Sequence, residues 1–145
     1  MPRTLKTGDS GKLKVMDGME HLVLCEGQDA WGFLVQYLNS EALSEYPKLS
    51  RLVQVEDFGG NEQLNTKLKL WSKAPGFQQL KTLVVIRDAE KNANGAVQSV
   101  KSAFQQSGLP VPSAPGEIHT GGSLATGFLL FPSCNNQRSN RFGVF

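Results

Sequence analysis

With 145 residues the chain has room for one ordinary domain around one core, which excludes a multidomain machine. A hydrophobic fraction of 39%, a charged fraction of 19% and eight phenylalanines exclude a disordered tail, a collagenous chain and a coiled coil. Fifteen Lys and Arg against thirteen Asp and Glu leave a formal charge of +2, too small for bulk attraction to nucleic acid, so any such contact has to be local.

Residues 1–14 carry Arg3, Lys6, Lys12 and Lys14 against Asp9, with Gly8, Ser10 and Gly11 between them, and read as a flexible lead-in. The domain starts near Val15 and extends to Pro132. His21-Leu22-Val23-Leu24-Cys25 is a short apolar run closed by Glu26-Gly27, the pattern of a buried strand feeding a turn. From Asp29 the apolar positions Trp31, Phe33-Leu34 and Tyr37-Leu38 recur at three and four, which predicts an amphipathic helix stopping near Asn39-Ser40. Leu52-Val53-Gln54-Val55 predicts a second strand, ending at Glu56-Asp57-Phe58 and Gly59-Gly60. Leu64, Leu68 and Trp71 form the stripe of a second helix that Pro75-Gly76 ends. Leu80 to Ile86 is the strongest strand signal, closed by Arg87-Asp88-Ala89-Glu90 and a polar turn from Lys91 to Gly95. Ala96, Val97, Val100, Ala103 and Phe104 predict a third helix, stopped by Gly108 ahead of Pro110. Pro110, Pro112 and Pro115 make an extended loop, and Leu124 to Phe131, interrupted by Gly127, is the last strand. The remaining residues, 133–145, read as an irregular tail.

Strands alternating with helices predict an α/β fold with a mostly parallel four-stranded sheet flanked by helices, because parallel neighbours need a crossover and the crossover is usually a helix. In such sheets ligands bind at the carboxyl ends of the strands. Glu26 closes the first strand, and Asp88 with Glu90 closes the third, so the three share one crevice if those strands are neighbours. Carboxylates gathered at one rim repel one another unless a cation neutralises them, and hard oxygen ligands suit Mg²⁺, or Mn²⁺ in its place. The competing reading is that acids at strand ends are solubilising residues, and by position Glu56 and Asp57 have an equal claim.

The local sequences favour chemistry. Leu22-Val23-Leu24-Cys25-Glu26-Gly27-Gln28-Asp29, followed later by Leu83-Val84-Val85-Ile86-Arg87-Asp88-Ala89-Glu90, resembles the Toprim domain of topoisomerases, bacterial primases, old-phage-type (OLD) nucleases and recombination-repair proteins. The run Cys25-Glu26-Gly27, Pro75-Gly76-Phe77, Arg87-Asp88-Ala89-Glu90, Gly108-Leu109-Pro110 and Leu130-Phe131-Pro132 is similar, over roughly residues 20–132, to a family of uncharacterised Toprim-related bacterial proteins. The resemblance implies a Toprim-like, Rossmann-like fold in which Glu26 is the general acid or base of phosphoryl transfer and Asp88 holds Mg²⁺. Glu90 occupies the second acid of the Asp-x-Asp motif; its extra methylene moves the carboxylate outward and suits ligation through water. Arg87 and Lys91 flank these acids and are candidates for substrate phosphate, against the alternative of local ion pairs. The family pattern continues past the last strand into a Gly-Met-Leu-Glu-type segment, whereas here Pro132 leads to Ser133-Cys134-Asn135-Asn136-Gln137-Arg138, which leaves a truncated or degenerate member as one reading.

Other residues carry plainer readings. Trp31 and Trp71 belong to helical stripes and so to the core, and Cys25 is a buried apolar side chain. His21 and His119 have no partner at zinc-ligand spacing, and Cys25 and Cys134 lie in unlike contexts, which argues against a disulfide framework and for a reducing compartment. Gly121-Gly122 precedes a strand rather than a helix and lacks the setting of a phosphate-cradling loop. No stretch approaches the ~18 apolar residues of a membrane span, and no apolar h-region follows Met1 to Lys6, so the expectation is a cytoplasmic protein with no membrane partner.

Two functions follow from these observations. The first is a Mg²⁺-dependent Toprim-type enzyme acting on phosphodiester bonds of nucleic acid, a nuclease. The second is a catalytically weak Toprim-fold binding module working in a complex with a partner such as an ATPase. A phospho-receiver domain fails in detail, since it needs an acidic pair after its first strand and a lysine after its fifth, and here Gly27 follows Glu26 and no lysine follows Lys101.

Overall fold

The structure, a computed structural model, describes residues 13–40, 49–89 and 92–131. In chain order it contains β1 (His21–Cys25), α1 (Gln28–Leu38), the single turn α2 (Leu49–Leu52), β2 (Val53–Asp57), α3 (Leu64–Ser72), β3 (Thr82–Asp88), α4 (Ala93–Gln106) and β4 (Ala125–Phe131). The four strands form one sheet in the order β2-β1-β3-β4, and every pairing is parallel. The fold is therefore α/β and Rossmann-like, as the alternation predicts, with His119 adding one isolated antiparallel bridge to Thr126 of β4.

Alternation along the strands sorts the side chains into two layers. Leu22, Leu24, Leu83, Val85, Phe128 and Leu130 face α3 and α4, where Leu64, Leu68 and Trp71 meet Ala96, Val100, Ala103 and Phe104. Cys25, Val53, Val55 and Ile86 face the other way, onto Trp31, Leu34, Val35 and Leu38 of α1. Each large apolar side chain buried this way contributes about 1.5–3 kcal/mol, and together these layers carry the fold. The two tryptophans differ: Trp71 is fully buried, while Trp31 is half-buried and its indole Nε1 donates to the Val55 carbonyl at 3.2 Å, tying α1 to β2.

Helix α4 starts at Ala93, inside the stretch 91–95 that the sequence reads as a polar turn. Asn92 caps α4 by accepting the Gly95 amide at 2.8 Å. After α3, Gly76 sits at φ +84°, and a Cβ there would lie 2.6 Å from the Val15 carbonyl oxygen, so only glycine allows the approach. Beside it the Val15 amide donates to the Pro75 carbonyl at 2.9 Å, fastening the start of the described chain to the α3–β3 connection.

Several strand boundaries differ from the sequence expectation. Leu52 closes α2 instead of opening β2, because the β1–β2 ladder begins at His21 opposite Val53. Strand β3 starts at Thr82 and runs to Asp88 rather than stopping at Ile86, because β4 keeps pairing with it as far as Asp88 opposite Phe131. Arg87 and Asp88 thus sit on the strand itself, held in register against Leu130 and Phe131. Among the described residues no helix is long and apolar enough to cross a membrane. Of the lead-in at 1–14, residues 1–12 lie outside the described residues, as does the tail at 133–145, while Leu13 packs against the core and the Lys14 carbonyl accepts Gln54 Nε2 at 2.9 Å.

Candidate functional site

The turn between β1 and α1 is built around one glycine and one distant aspartate. Gly27 adopts φ +91°, a conformation that side chains rarely tolerate, and its carbonyl accepts the Trp31 amide at 3.2 Å to open α1. Its amide donates to Asp57 Oδ1 at 2.8 Å, and the same oxygen accepts the Gly59 amide at 2.8 Å. Asp57 Oδ2 accepts Gln28 Nε2 at 2.9 Å. Asp57 at the end of β2 therefore clamps the Glu26-Gly27 turn, while neighbouring Glu56 is buried and accepts Gln54 Nε2 at 3.0 Å. The two acids that rivalled the predicted pair by position have structural work.

The predicted pair does meet. Because β1 and β3 are neighbours, the Glu26 amide donates to the Ile86 carbonyl at 3.0 Å and the Asp88 amide donates to Glu26 Oε1 at 3.1 Å. Arg87, 8% exposed, brings Nε to 3.9 Å from the same oxygen, at the outer limit of an ion pair. Its Nε and Nη1 are buried and make no hydrogen bond. Arg87 is thus a partner of Glu26 as well as a candidate for substrate. These residues line a cleft of about 550 Å³ whose charged rim is Glu26, Asp29, Arg87 and Asp88 and whose apolar wall is Ala30, Phe33, Ile86 and Phe131. The cleft lies at the carboxyl edge of the sheet, where parallel α/β sheets bind their ligands. Glu90 and Lys91, the other residues predicted for metal and substrate, lie outside the described residues. Among the described residues no three His, Cys, Asp or Glu side chains gather as a metal-holding group.

Helix α1 departs from the sequence expectation in a way that shapes the cleft. Phe33 and Tyr37 counted toward its buried stripe, yet they are 58% and 47% exposed and stack on each other with ring centroids 6.2 Å apart and planes 15° apart. The stripe that packs on the sheet is the half-buried Trp31, Leu34, Val35 and Leu38, and the aromatic pair forms a second stripe four residues apart on an outward face. That doubled period was the available signal.

Cys25, the residue before Glu26, is fully buried. Its thiol donates to the Glu56 carbonyl at 3.6 Å, and burial, then the Asp57 and Glu56 charges, push its pKa up to about 12. Below pH 9 the thiol is neutral in both folded and unfolded chains. Between pH 9 and about 12 the unfolded chain alone loses the proton, so stability falls as pH rises through that window. Cys25→Ala is expected to flatten this alkaline slope in urea titrations run from pH 8 to 10.5; an unchanged slope would overturn the assignment.

Compared with known proteins, the sequence matches, over residues 20–140, the family described as "Protein of unknown function (DUF3226)". No curated protein and no solved structure matches it.

Proposed function

We propose that this chain, which belongs to the DUF3226 family of proteins of unknown function, is a Toprim-type enzyme that uses Mg²⁺ or Mn²⁺ to act on phosphodiester bonds of nucleic acid, as a nuclease. The observation that carries the reading is the bond from the Asp88 amide to Glu26 Oε1 across adjacent strands, which puts two acids far apart in sequence into one cleft.

The donor chemistry fits a Mg²⁺ ion in its open form. Mg²⁺ keeps several waters and is commonly held by one or two carboxylates together with substrate phosphate, so it does not require a closed cage of three protein ligands. Asp88 would hold it, with Glu90 as a second, water-mediated ligand. When bound, the ion polarises the phosphate and offsets charge developing on its oxygens. Glu26 acts as general acid or base, its carboxylate oriented by the Asp88 amide, and Arg87 and Lys91 contact phosphate oxygens. Isothermal calorimetry tests the reading: wild type is expected to bind Mg²⁺ or Mn²⁺, with Asp88→Asn weakening binding at least about tenfold through loss of one anionic ligand. Equal affinity in the two proteins would remove Asp88 from the site.

Glu90 in place of the second aspartate of the Asp-x-Asp motif, and the hold of Arg87 on Glu26, favour a second reading: a weakly active or inactive module that binds nucleic acid beside a partner such as an ATPase. Wild type that binds no divalent metal and nicks no plasmid would select it.

A further inference from the structure

Phosphodiester chemistry at Glu26 and Asp88 leaves one wall of the cleft unused. Phe33 is 58% exposed although it lines the same cleft as Glu26, Arg87 and Asp88. A large aromatic side chain open to water beside a charged rim offers a face on which a base can stack. On the opposite count, Arg87 is an incompletely satisfied cation: it is 8% exposed, and Nε and Nη1 have no hydrogen-bond acceptor. Burying guanidinium donors without acceptors is costly, and because Arg87 lines the cleft, a turn of its side chain would bring them to an anionic oxygen there. A ring to stack on and a buried cation to neutralise are thus offered within one cleft of about 550 Å³, the size of an ordinary small-ligand site.

Resting on the phosphodiester reading above, we propose that the cleft binds an unpaired nucleotide of a single strand, its base stacked on Phe33 and a phosphate oxygen directed to Arg87. Bases in a duplex stack on one another and present no free face to an aromatic side chain. Duplex binding also rests on many phosphate contacts, whereas the chain carries a net charge of +2 and Arg87 is the one basic residue lining the described cleft. Stacking of single bases on aromatic side chains, by contrast, is strong and tolerant of sequence.

The test is fluorescence anisotropy of the full chain with a labelled short thymidine strand, with Ca²⁺ replacing Mg²⁺ to suppress cleavage. Phe33→Ala is expected to weaken binding about five- to hundredfold, and Phe33→Trp to retain it. The same strand with abasic sites should bind wild type as weakly as it binds Phe33→Ala, and the matching duplex should bind more weakly than the single strand. Free thymidine monophosphate binding as tightly as the strand would make the ligand a mononucleotide and overturn the proposal. Unchanged affinity in Phe33→Ala, or equal affinity for intact and abasic strands, would overturn it too, as would a wild type that binds no strand. Light scattering that shows Phe33→Ala altering only self-association would assign the aromatic pair to a contact between copies instead. The two readings fail separately: nicking that persists unchanged in Phe33→Ala defeats the stacking site alone, and Phe33-dependent strand binding without metal binding or nicking defeats the enzyme alone.

Discussion

Glu26→Gln is expected to lower the nicking of supercoiled plasmid by about 10²–10⁴-fold in Mg²⁺ or Mn²⁺, the range for loss of a positioned general acid or base. The substitution keeps a side-chain oxygen able to accept the Asp88 amide, which Glu26 Oε1 does at 3.1 Å, so the β1–β3 junction should stay closed and the chain folded. Glu26→Ala removes that acceptor and also the carboxylate beside Arg87. Breaking a buried ion pair by deleting one member costs about 3–5 kcal/mol, because the surviving charge is left uncompensated. Here the pair is separated by 3.9 Å and the Glu26 side chain keeps 15% exposure, which places the expected loss near the bottom of that range, about 3 kcal/mol. Adding Arg87→Met to Glu26→Ala should recover part of it, since the stranded cation is then gone. Urea denaturation of wild type, Glu26→Ala, Arg87→Met and the double variant gives the coupling. Strictly additive losses would show that Arg87 and Glu26 do not interact, and nicking within tenfold of wild type in Glu26→Gln would end the enzymatic reading.

Asp57→Ala is expected to destabilise the chain by about 2–3 kcal/mol although Asp57 belongs to neither candidate ligand set. One carboxylate holds the Gly27 amide, the Gly59 amide and Gln28 Nε2 at 2.8, 2.8 and 2.9 Å. Hydrogen bonds to a charged acceptor contribute about 1.5–3 kcal/mol each when buried; the Gln28 bond is exposed and counts least, and the two amide bonds are part-buried. Asp57→Asn keeps an oxygen for both amides and can turn its NH₂ toward the Gln28 oxygen, so it should cost less than about 1 kcal/mol. The Ala variant should also lose activity beyond its loss of stability, because the turn it frees carries Glu26. Hydrogen exchange at the Gly27 amide reads the clamp directly: faster exchange is expected in Asp57→Ala than in Asp57→Asn, and equal protection in both would show that the turn holds without it.

Much of the architecture was legible before any coordinates. The burial of Leu64, Leu68 and Trp71, and of Ala96, Val100, Ala103 and Phe104, follows from their spacing, because a helix packed on one side can bury only one stripe. The run from Leu83 to Ile86 reads as a strand covered on both faces, and it is. Strand ends were less legible, since Arg87 and Asp88 are polar and look like a turn, and the β4 ladder that extends β3 through them joins residues that are remote in sequence. Phe33 and Tyr37 were misread because hydropathy alone cannot tell which of two apolar stripes on one helix meets the sheet.

The candidate site divides along the same line. The sequence by itself determined the residue types, the Glu26-Gly27 turn and the acid at Asp88, because a left-handed glycine after a strand and an acid at a strand end are local features. Only the tertiary structure decided that β1 and β3 are adjacent, that Glu26 accepts the Asp88 amide, and that Asp57 rather than Glu26 braces the turn. It also decided that Arg87 is buried against Glu26 and that Phe33 opens onto the same cleft. Strand order, burial and partner choice depend on contacts between segments tens of residues apart, and no periodicity within a single segment encodes them.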